Sequence, residues 1–322
     1  MLKPLHLRDL NLAPLQHPRG QAHLSAASGL VRVPGRLGAR LYVVADDEHH
    51  LAGWNEGNPA PVQLHRLLEG DLPRGKDERK PVKPDLESLV FLPACAGHPF
   101  GALLALGSGS TPHRCQAVCL PLDGNGDVME RSRLIDLTPL YAELGHLVPG
   151  QPRSLLGALN IEGCLINEGH FQFLQRGNAG GSPNAVVSFE QEALLSWLLG
   201  YAPEVPKRLS VQVLALGQVG GVPLTLTDGA ALTGTPWAGC WAFSAVAEKT
   251  DNSYADGACV GSAVGVIGPG GMVRQLHALH DAPKVEGIAV RQTGQQLTLD
   301  MVTDADDPEQ AARLLQVSFA LS

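Results

Sequence analysis

The sequence predicts an all-β fold, a β-propeller of five four-stranded blades, from two observations. A short phrase, in which a small or acidic residue precedes a small residue and an apolar run, recurs at steps of 59, 75, 66 and 58 residues. Strand-like runs separated by turn residues follow each copy, which is typical of a radial β-repeat. The five copies are Ser28-Gly29-Leu30, Glu87-Ser88-Leu89, Glu162-Gly163-Cys164-Leu165, Asp228-Gly229-Ala230 and Glu286-Gly287-Ile288.

The first two repeats each divide into four strands, because β-branched and aromatic residues cluster between Gly, Asn and Pro. In the first repeat we expect Gly29–Val33, Arg40–Ala45, His49–Trp54 and Val62–Leu68. In the second we expect Glu87–Leu92, Gly101–Leu106, Arg114–Leu122 and Arg131–Leu137. The segment between them, Glu69–Pro84, is charged and rich in proline, which predicts a loop outside the core.

The third and fourth repeats follow the same plan, with helices inserted. A helix is expected after Thr138, which is a favoured N-cap residue, and another over Gln191–Leu199. The third repeat gives strands at Ile161–Ile166, His170–Gln175, Asn184–Ser188 and Arg208–Leu216. The fourth gives Thr225–Leu232, Cys240–Ala247, Cys259–Ile267 and Met272–Leu279.

The fifth repeat is one strand short. Its expected strands are Val285–Val290, Gln296–Thr303 and Leu314–Leu321, with a short helix at Asp307. An unassigned strand, Leu5–Leu12, lies at the N-terminus, and its pairing with the last blade would close the ring and remove an exposed edge. Residues 1–322 are then one propeller domain. A six-bladed ring and a two-sheet sandwich stay open as alternatives.

Charge and composition limit the partners. The 24 basic and 32 acidic residues give a net charge of −8, which argues against binding nucleic acid or an anionic membrane. A small anionic molecule or a protein is the expected partner. Six cysteines show no zinc-binding spacing, and we expect them to be reduced. The N-terminal residues lack the features of a signal peptide, and no apolar run could span a bilayer, so we expect a cytoplasmic location.

Four carboxylates stand at apparently equivalent places in the repeat: Glu87, Glu162, Asp228 and Glu286. In a propeller such positions converge on the central channel, where bare carboxylates repel one another. A divalent cation would remove this repulsion, and hard oxygen ligands suit calcium or magnesium. The alternative is that each acid caps its own blade by accepting hydrogen bonds from backbone N–H groups.

Basic and amide side chains are expected near these acids. Arg114, Arg176, Asn178 and Lys249 follow or precede strands at comparable places, and we regard them as candidates for binding substrate. A guanidinium suits a phosphate or a carboxylate. An internal ion pair between Arg176 and Glu162 is the equal alternative. The sequence contains no P-loop, dinucleotide fingerprint or serine-hydrolase elbow.

Four longer phrases stand out in the sequence: Asn160-Ile161-Glu162-Gly163, Leu174-Gln175-Arg176-Gly177-Asn178, Leu41-Tyr42-Val43-Val44-Ala45-Asp46-Asp47 and Lys284-Val285-Glu286-Gly287-Ile288-Ala289. They resemble an uncharacterised bacterial β-propeller family, and more distantly the esterase-like phytase domain and the lactonase-type calcium propellers. The resemblance implies that the glutamate of each Glu-Gly phrase ligates a metal, and that the reaction is hydrolysis of a phosphomonoester, an ester or a lactone.

These observations give two expectations of function. The first is a metal-assisted hydrolase of a small anionic ester, phosphoester or lactone, with calcium or another divalent cation held by the four acids. The second is a non-catalytic propeller that binds a ligand or a protein partner.

Overall fold

The protein folds into five four-stranded antiparallel sheets arranged as a β-propeller. The structure is a computed structural model and describes residues 1–145, 156, 158–178, 181–248 and 259–322. The prediction of five blades is confirmed, and the six-bladed and sandwich alternatives are wrong.

Each blade runs outward from its first strand, with one exception at the seam. Blade I consists of β2 (Ala27–Val33), β3 (Arg40–Ala45), β4 (His50–Asn55) and β5 (Gln63–Arg66). Blade II consists of β6 (Leu86–Leu92), β7 (Ala102–Gly107), β8 (Gln116–Pro121) and β9 (Arg133–Asp136). Blade III consists of β10 (Ile161–Asn167), β11 (His170–Gln175), β12 (Asn184–Glu190) and β13 (Ser210–Leu214).

A two-stranded pair, β14 (Gln218–Val219) and β15 (Val222–Pro223), precedes blade IV. Blade IV consists of β16 (Thr225–Ala231), β17 (Trp241–Glu248), β18 (Cys259–Ile267) and β19 (Val273–Ala278). Blade V consists of β20 (Val285–Thr293), β21 (Gln296–Thr303), β22 (Arg313–Ala320) and the N-terminal strand β1 (Leu5–Asp9).

The ring closes as the sequence predicts. β1 pairs antiparallel with β22, so the N-terminal strand supplies the outer strand of the last blade. This pairing covers the edge that blade V would otherwise expose at the seam.

Helices are short and lie outside the blades. They are α1 (Lys76–Arg79), α2 (Thr138–Gly145), α3 (Gln191–Leu198) and a 3₁₀ turn at Pro112–Arg114. The helix expected at Asp307 is instead a turn, in which Asp307 Oδ1 accepts a hydrogen bond from the Glu309 N–H at 3.0 Å. Among the described residues, no helix is both long and apolar enough to cross a membrane.

The core is divided among the five interfaces between blades. One cluster of buried apolar side chains fills each interface, including the interface between blades V and I, where Val302 lies with Ala27 and Leu30. Burial of apolar area therefore stabilises blade-to-blade packing all the way around the ring. The first strands β2, β6, β10, β16 and β20 meet in the centre, each in contact with the first strands of both neighbouring blades.

Candidate functional site

The first strand of each blade carries a β-bulge where the recurring phrase begins. The register with the second strand shifts at Glu87, Glu162 and Glu286 in blades II, III and V. A bulge leaves one residue unpaired and re-aims its side chain. The recurring acid is thus the bulged residue, and three of the four predicted metal ligands occupy equivalent positions.

The fourth does not, and the predicted equivalence of Asp228 is wrong. In blade IV the bulge falls at Thr227, so Asp228 occupies the place that the phrase gives to glycine or serine. Asp228 Oδ1 accepts a hydrogen bond from the Gly229 N–H at 2.8 Å, and Oδ2 accepts one from the Ile288 N–H of blade V at 2.8 Å. The residue accepts one N–H from its own blade, as the capping alternative expects, and the second N–H ties its strand to the first strand of blade V.

One end of the central channel, which we call the mouth, is rich in charge. It includes eight acidic and four basic side chains of the described residues, and all of them except Glu87 take part in ion pairs. The acids are Asp46, Asp85, Glu87, Glu162, Glu248, Glu286, Asp304 and Asp306, and the bases are Lys83, Arg114, Arg176 and Lys284. Among these side chains the acids outnumber the bases.

Arg176 connects blades III, IV and V. Its Nη1 lies 3.4 Å from Glu162 Oε2 and 3.6 Å from Glu286 Oε1, and its Nη2 donates to Glu248 Oε2 at 2.6 Å. Burial lowers the pKa of Arg176, but the surrounding carboxylates raise it further, to well above its ordinary value. Arg176 therefore stays charged and is fully engaged by protein carboxylates.

Lys284 likewise pairs with several carboxylates, next to blade V. Its Nζ donates to Asp306 Oδ1 at 2.6 Å and lies 3.3–3.5 Å from oxygens of three further acids. Burial lowers the pKa of Lys284, and the four carboxylates more than offset this effect. Two internal cations thus offset part of the charge of the five acids on blades III to V.

The acids of blades I and II are held differently. Lys83 contacts Asp46 Oδ2, and its Nζ lies 3.0 Å from Asp85 Oδ1. Arg114 Nη1 donates to Asp85 Oδ2 at 2.8 Å. Lys83 comes from the end of the charged segment 69–84, most of which is exposed, and brings its ammonium group to the mouth.

Glu87 differs from the other acids. Its carboxylate lies with those of Asp46 and Asp85, with one oxygen from each within 4.8 Å of the others. Glu87 makes no hydrogen bond and no ion pair with any residue that the structure describes, and it is partly exposed at the bottom of the mouth. Burial together with the charges of Glu162, Asp85 and Asp46 raises its pKa well above the ordinary value. Glu87 is therefore the carboxylate available to a ligand.

Burial also raises the pKa of Glu162 to about 8, against the opposing effect of Arg176. The folded protein consequently holds a proton that the unfolded chain releases between about pH 4.5 and 8, and stability must fall as pH rises through this window. We expect the free energy of unfolding to drop by at least about 1.4 kcal/mol between pH 5.5 and pH 8.5, since one unit of pKa displacement corresponds to that amount. Urea denaturation across this range measures the drop.

Glu162→Gln, which imitates the protonated acid, should make this profile shallower. The exposed acid Glu130 provides the matched control, and Glu130→Gln should leave the profile as it is in the parent protein. A parent profile that is flat or rises from pH 5.5 to pH 8.5 would contradict the raised pKa.

The remaining predicted binding residues are placed as follows. Arg114 and Arg176 lie in the mouth, as the sequence predicts. Asn178 follows β11, where its Oδ1 accepts a hydrogen bond from the Ser182 N–H at 3.3 Å within a loop. Lys249 lies outside the described residues.

The sequence interpretation omitted Lys83 and Lys284 from the site. The positions of Asp46, Glu248 and Asp304 can be located in the sequence, because each lies at or just after the end of a second strand, the same place as Arg176. The position of Lys284 can also be located in the sequence, since it lies two residues before Glu286 of the Glu-Gly phrase of blade V.

The fold and the mouth define a five-bladed β-propeller with an acidic, internally ion-paired channel entrance. The chain belongs to DUF6929, a family of unknown function, whose sequence pattern matches residues 23–319. No curated protein matches the chain.

Several solved structures are similar to this chain over most of its length. A glucose dehydrogenase is 12% identical, with 98% of this chain and 99% of that chain covered and a TM-score of 0.46. An exo-1,5-alpha-L-arabinanase from a bovine ruminal metagenomic library is 9% identical, with 92% and 94% covered and a TM-score of 0.43. A glycosyl hydrolase from Bacteroides ovatus is 8% identical, with 98% and 93% covered and a TM-score of 0.42. Similarity at this level says nothing about the substrate or chemistry of this chain.

Proposed function

We propose that the mouth binds a divalent cation at Asp46, Asp85 and Glu87, and that the protein is a metal-assisted hydrolase of a small anionic ester, phosphoester or lactone. One observation supports the proposal most strongly. Three carboxylates from two blades bring their oxygens within 4.8 Å of one another, and one of them, Glu87, has no partner in the described part of the chain. Hard oxygen donors at this spacing suit calcium, magnesium or manganese.

Asp46, Asp85 and Glu87 suit such an ion better than the four carboxylates that the sequence predicts. Glu87 remains a ligand, whereas Glu162 and Glu286 share Arg176 and serve to shape the site. Asp228 is engaged by backbone N–H groups and does not take part.

Lys83 is the internal competitor for the cation. Its ammonium group contacts Asp46 and lies 3.0 Å from Asp85 Oδ1, where a bound cation would draw on the same oxygens. Since the pKa of Glu87 is raised, cation binding also has to displace a proton from this carboxyl. We therefore expect affinity for the cation to increase as pH rises.

Two guanidinium groups lie beside the proposed cation. Arg114 and Arg176 are held by carboxylates, so neither guanidinium is free to take the whole charge of an anion. A bound divalent cation supplies Lewis acidity toward a phosphoryl or carbonyl oxygen and lowers the pKa of a coordinated water. Glu87, freed of its proton, would remain beside that position on the channel floor.

Glu87→Gln should lose most of the cation affinity. Removing one of three anionic ligands weakens binding by at least about tenfold, or about 1.4 kcal/mol. Calorimetric titration of the EDTA-treated protein with calcium, magnesium and manganese measures this effect. Glu130→Gln, at an exposed acid far from the channel, should bind as the parent protein does.

Lys83→Met tests the competitor in the opposite direction. Without the ammonium group, the cation should bind more tightly and should restore stability that the variant loses in EDTA.

The parent protein with bound cation should then be screened with p-nitrophenyl acetate, p-nitrophenyl phosphate and a γ-lactone. Activity that EDTA removes and the cation restores supports the hydrolase.

Two results would contradict the proposal. If no cation binds the parent protein, the acids serve only to hold the blades, and a binding or scaffolding role takes the place of the enzyme. If a cation binds equally well to Glu87→Gln, the ion lies elsewhere.

A further inference from the structure

A second cavity lies at the seam of the ring, away from the mouth. It lies between blade V and blade I, has a volume of about 580 Å³, and is lined in part by Arg8, Trp54, Glu56, Arg291, Asp300 and Gln316. We call it the seam groove. Small-molecule sites in proteins commonly fall between about 300 and 1,000 Å³.

The wall of the seam groove is preformed. Arg8 on β1 donates from Nη1 to the Asn58 carbonyl at 2.8 Å and from Nη2 to the Ala60 carbonyl at 2.7 Å. Its guanidinium also lies over the Trp54 ring, 5.7 Å from the centroid. The strand that closes the propeller thereby fixes the loop after β4 as one side of the groove.

Asp300 is the unusual residue of the groove. It lies on β21 between buried Leu299 and Met301, and its side chain is only 2% exposed. Its Oδ1 accepts hydrogen bonds from Arg291 Nη2 at 3.0 Å and from Gln316 Nε2 at 2.7 Å. Its Oδ2 accepts none from the described part of the chain. Because no donor of the described residues satisfies this oxygen, it can accept a hydrogen bond from a ligand in the groove.

The other polar groups of the groove indicate which hydrogen-bonding groups and what charge the ligand has. Both Nη atoms of Arg8 are used by carbonyls, and the Nη groups of Arg291 are used by Glu56 and Asp300. The groove therefore offers mainly acceptors, and its charges are nearly balanced. Proline and leucine residues that line the groove supply apolar surface.

We propose that the seam groove binds a small, neutral, hydroxyl-rich ligand of the sugar or polyol class. Hydroxyl groups would donate to Asp300 Oδ2, and the C–H face would lie on the apolar wall. This site is separate from the mouth and does not depend on a bound cation.

Calorimetric titration with glucose, maltose, trehalose and myo-inositol up to about 10 mM tests the proposal, since a Kd of about 1 mM would be detected there. We expect at least one of these probes to bind, equally well in EDTA. Asp300→Asn should weaken that binding by about tenfold or more, as expected on losing a hydrogen bond to a charged group.

A second variant keeps the proposal testable if Asp300→Asn does not fold. Asn11 is exposed and lines the groove, so Asn11→Trp should block binding without disturbing the core. Asn125→Trp, at an exposed turn elsewhere, is the matched control and should bind normally. The proposal is overturned if none of the four probes binds, if spermidine binds and they do not, or if both groove variants bind like the parent protein.

Discussion

Gly287→Ala should prevent the ring from closing. A Cβ at this position would lie 1.9 Å from the Ser28 carbonyl oxygen and 2.8 Å from the Leu30 nitrogen of blade I. These are backbone atoms of the neighbouring first strand, which cannot rotate away as a flexible side chain would. We expect a loss of more than about 4 kcal/mol, at the extreme of single substitutions, and protein that is largely unfolded.

Gly145→Ala is the matched control for this substitution. A Cβ at Gly145 would meet no atom within 4 Å. Thermal unfolding and circular dichroism of both variants measure the difference. A Gly287→Ala protein that unfolds within about 1 kcal/mol of the parent would show that the first strands are not packed as closely as described.

Arg176→Met should destabilise the protein by about 3–5 kcal/mol, because it removes one partner from a buried network of ion pairs. Glu162, Glu248 and Glu286 would each lose an ion-pair partner, while the volume of the side chain would be nearly kept. Urea denaturation at pH 7 measures this loss. It should shrink at pH 5, where the stranded carboxylates can take up protons at a lower cost.

The exposed pair of Arg66 and Asp71 supplies the control. Arg66 Nη2 lies 2.9 Å from Asp71 Oδ1 with both side chains largely in solvent, so Arg66→Met should cost no more than about 1 kcal/mol. Equal losses for Arg176→Met and Arg66→Met would mean that the mouth is not a buried network and would remove the electrostatic basis of the site.

Much of the fold could be predicted because each blade repeats the same local signals. The predicted bounds of Arg40–Ala45, His170–Gln175, Cys259–Ile267 and Gln296–Thr303 coincide with β3, β11, β18 and β21. The closing role of the N-terminal strand also followed from counting strands. These features depend on period-two patterns and turn residues, which a single sequence displays directly.

The error at Asp228 has a physical reason. Both Thr227 and Asp228 are compatible with a strand, and Thr227 is the one that bulges, while Asp228 accepts the Ile288 N–H of blade V. Matching Asp228 to the glutamates of the other blades because it is also an acid shifts the repeat by one residue.

The charged segment 69–84 shows a different limit. Its composition suits a solvated loop, yet Arg79 is 5% exposed and donates from Nε to Asp47 Oδ2 at 2.9 Å, and Lys83 reaches the mouth. Long-range ion pairs between a loop and strand ends leave no periodic signal. For the same reason Asp300 and the seam groove could not be found before the blades were assembled.

The most direct test of the cation site is to locate the ion in crystals soaked with manganese and measured at a wavelength where manganese scatters anomalously. We expect a single strong peak among Asp46, Asp85 and Glu87, within about 2.6 Å of their carboxylate oxygens, with the Lys83 ammonium displaced. A map without a peak there, at a manganese concentration that saturates binding in solution, would contradict the proposed site.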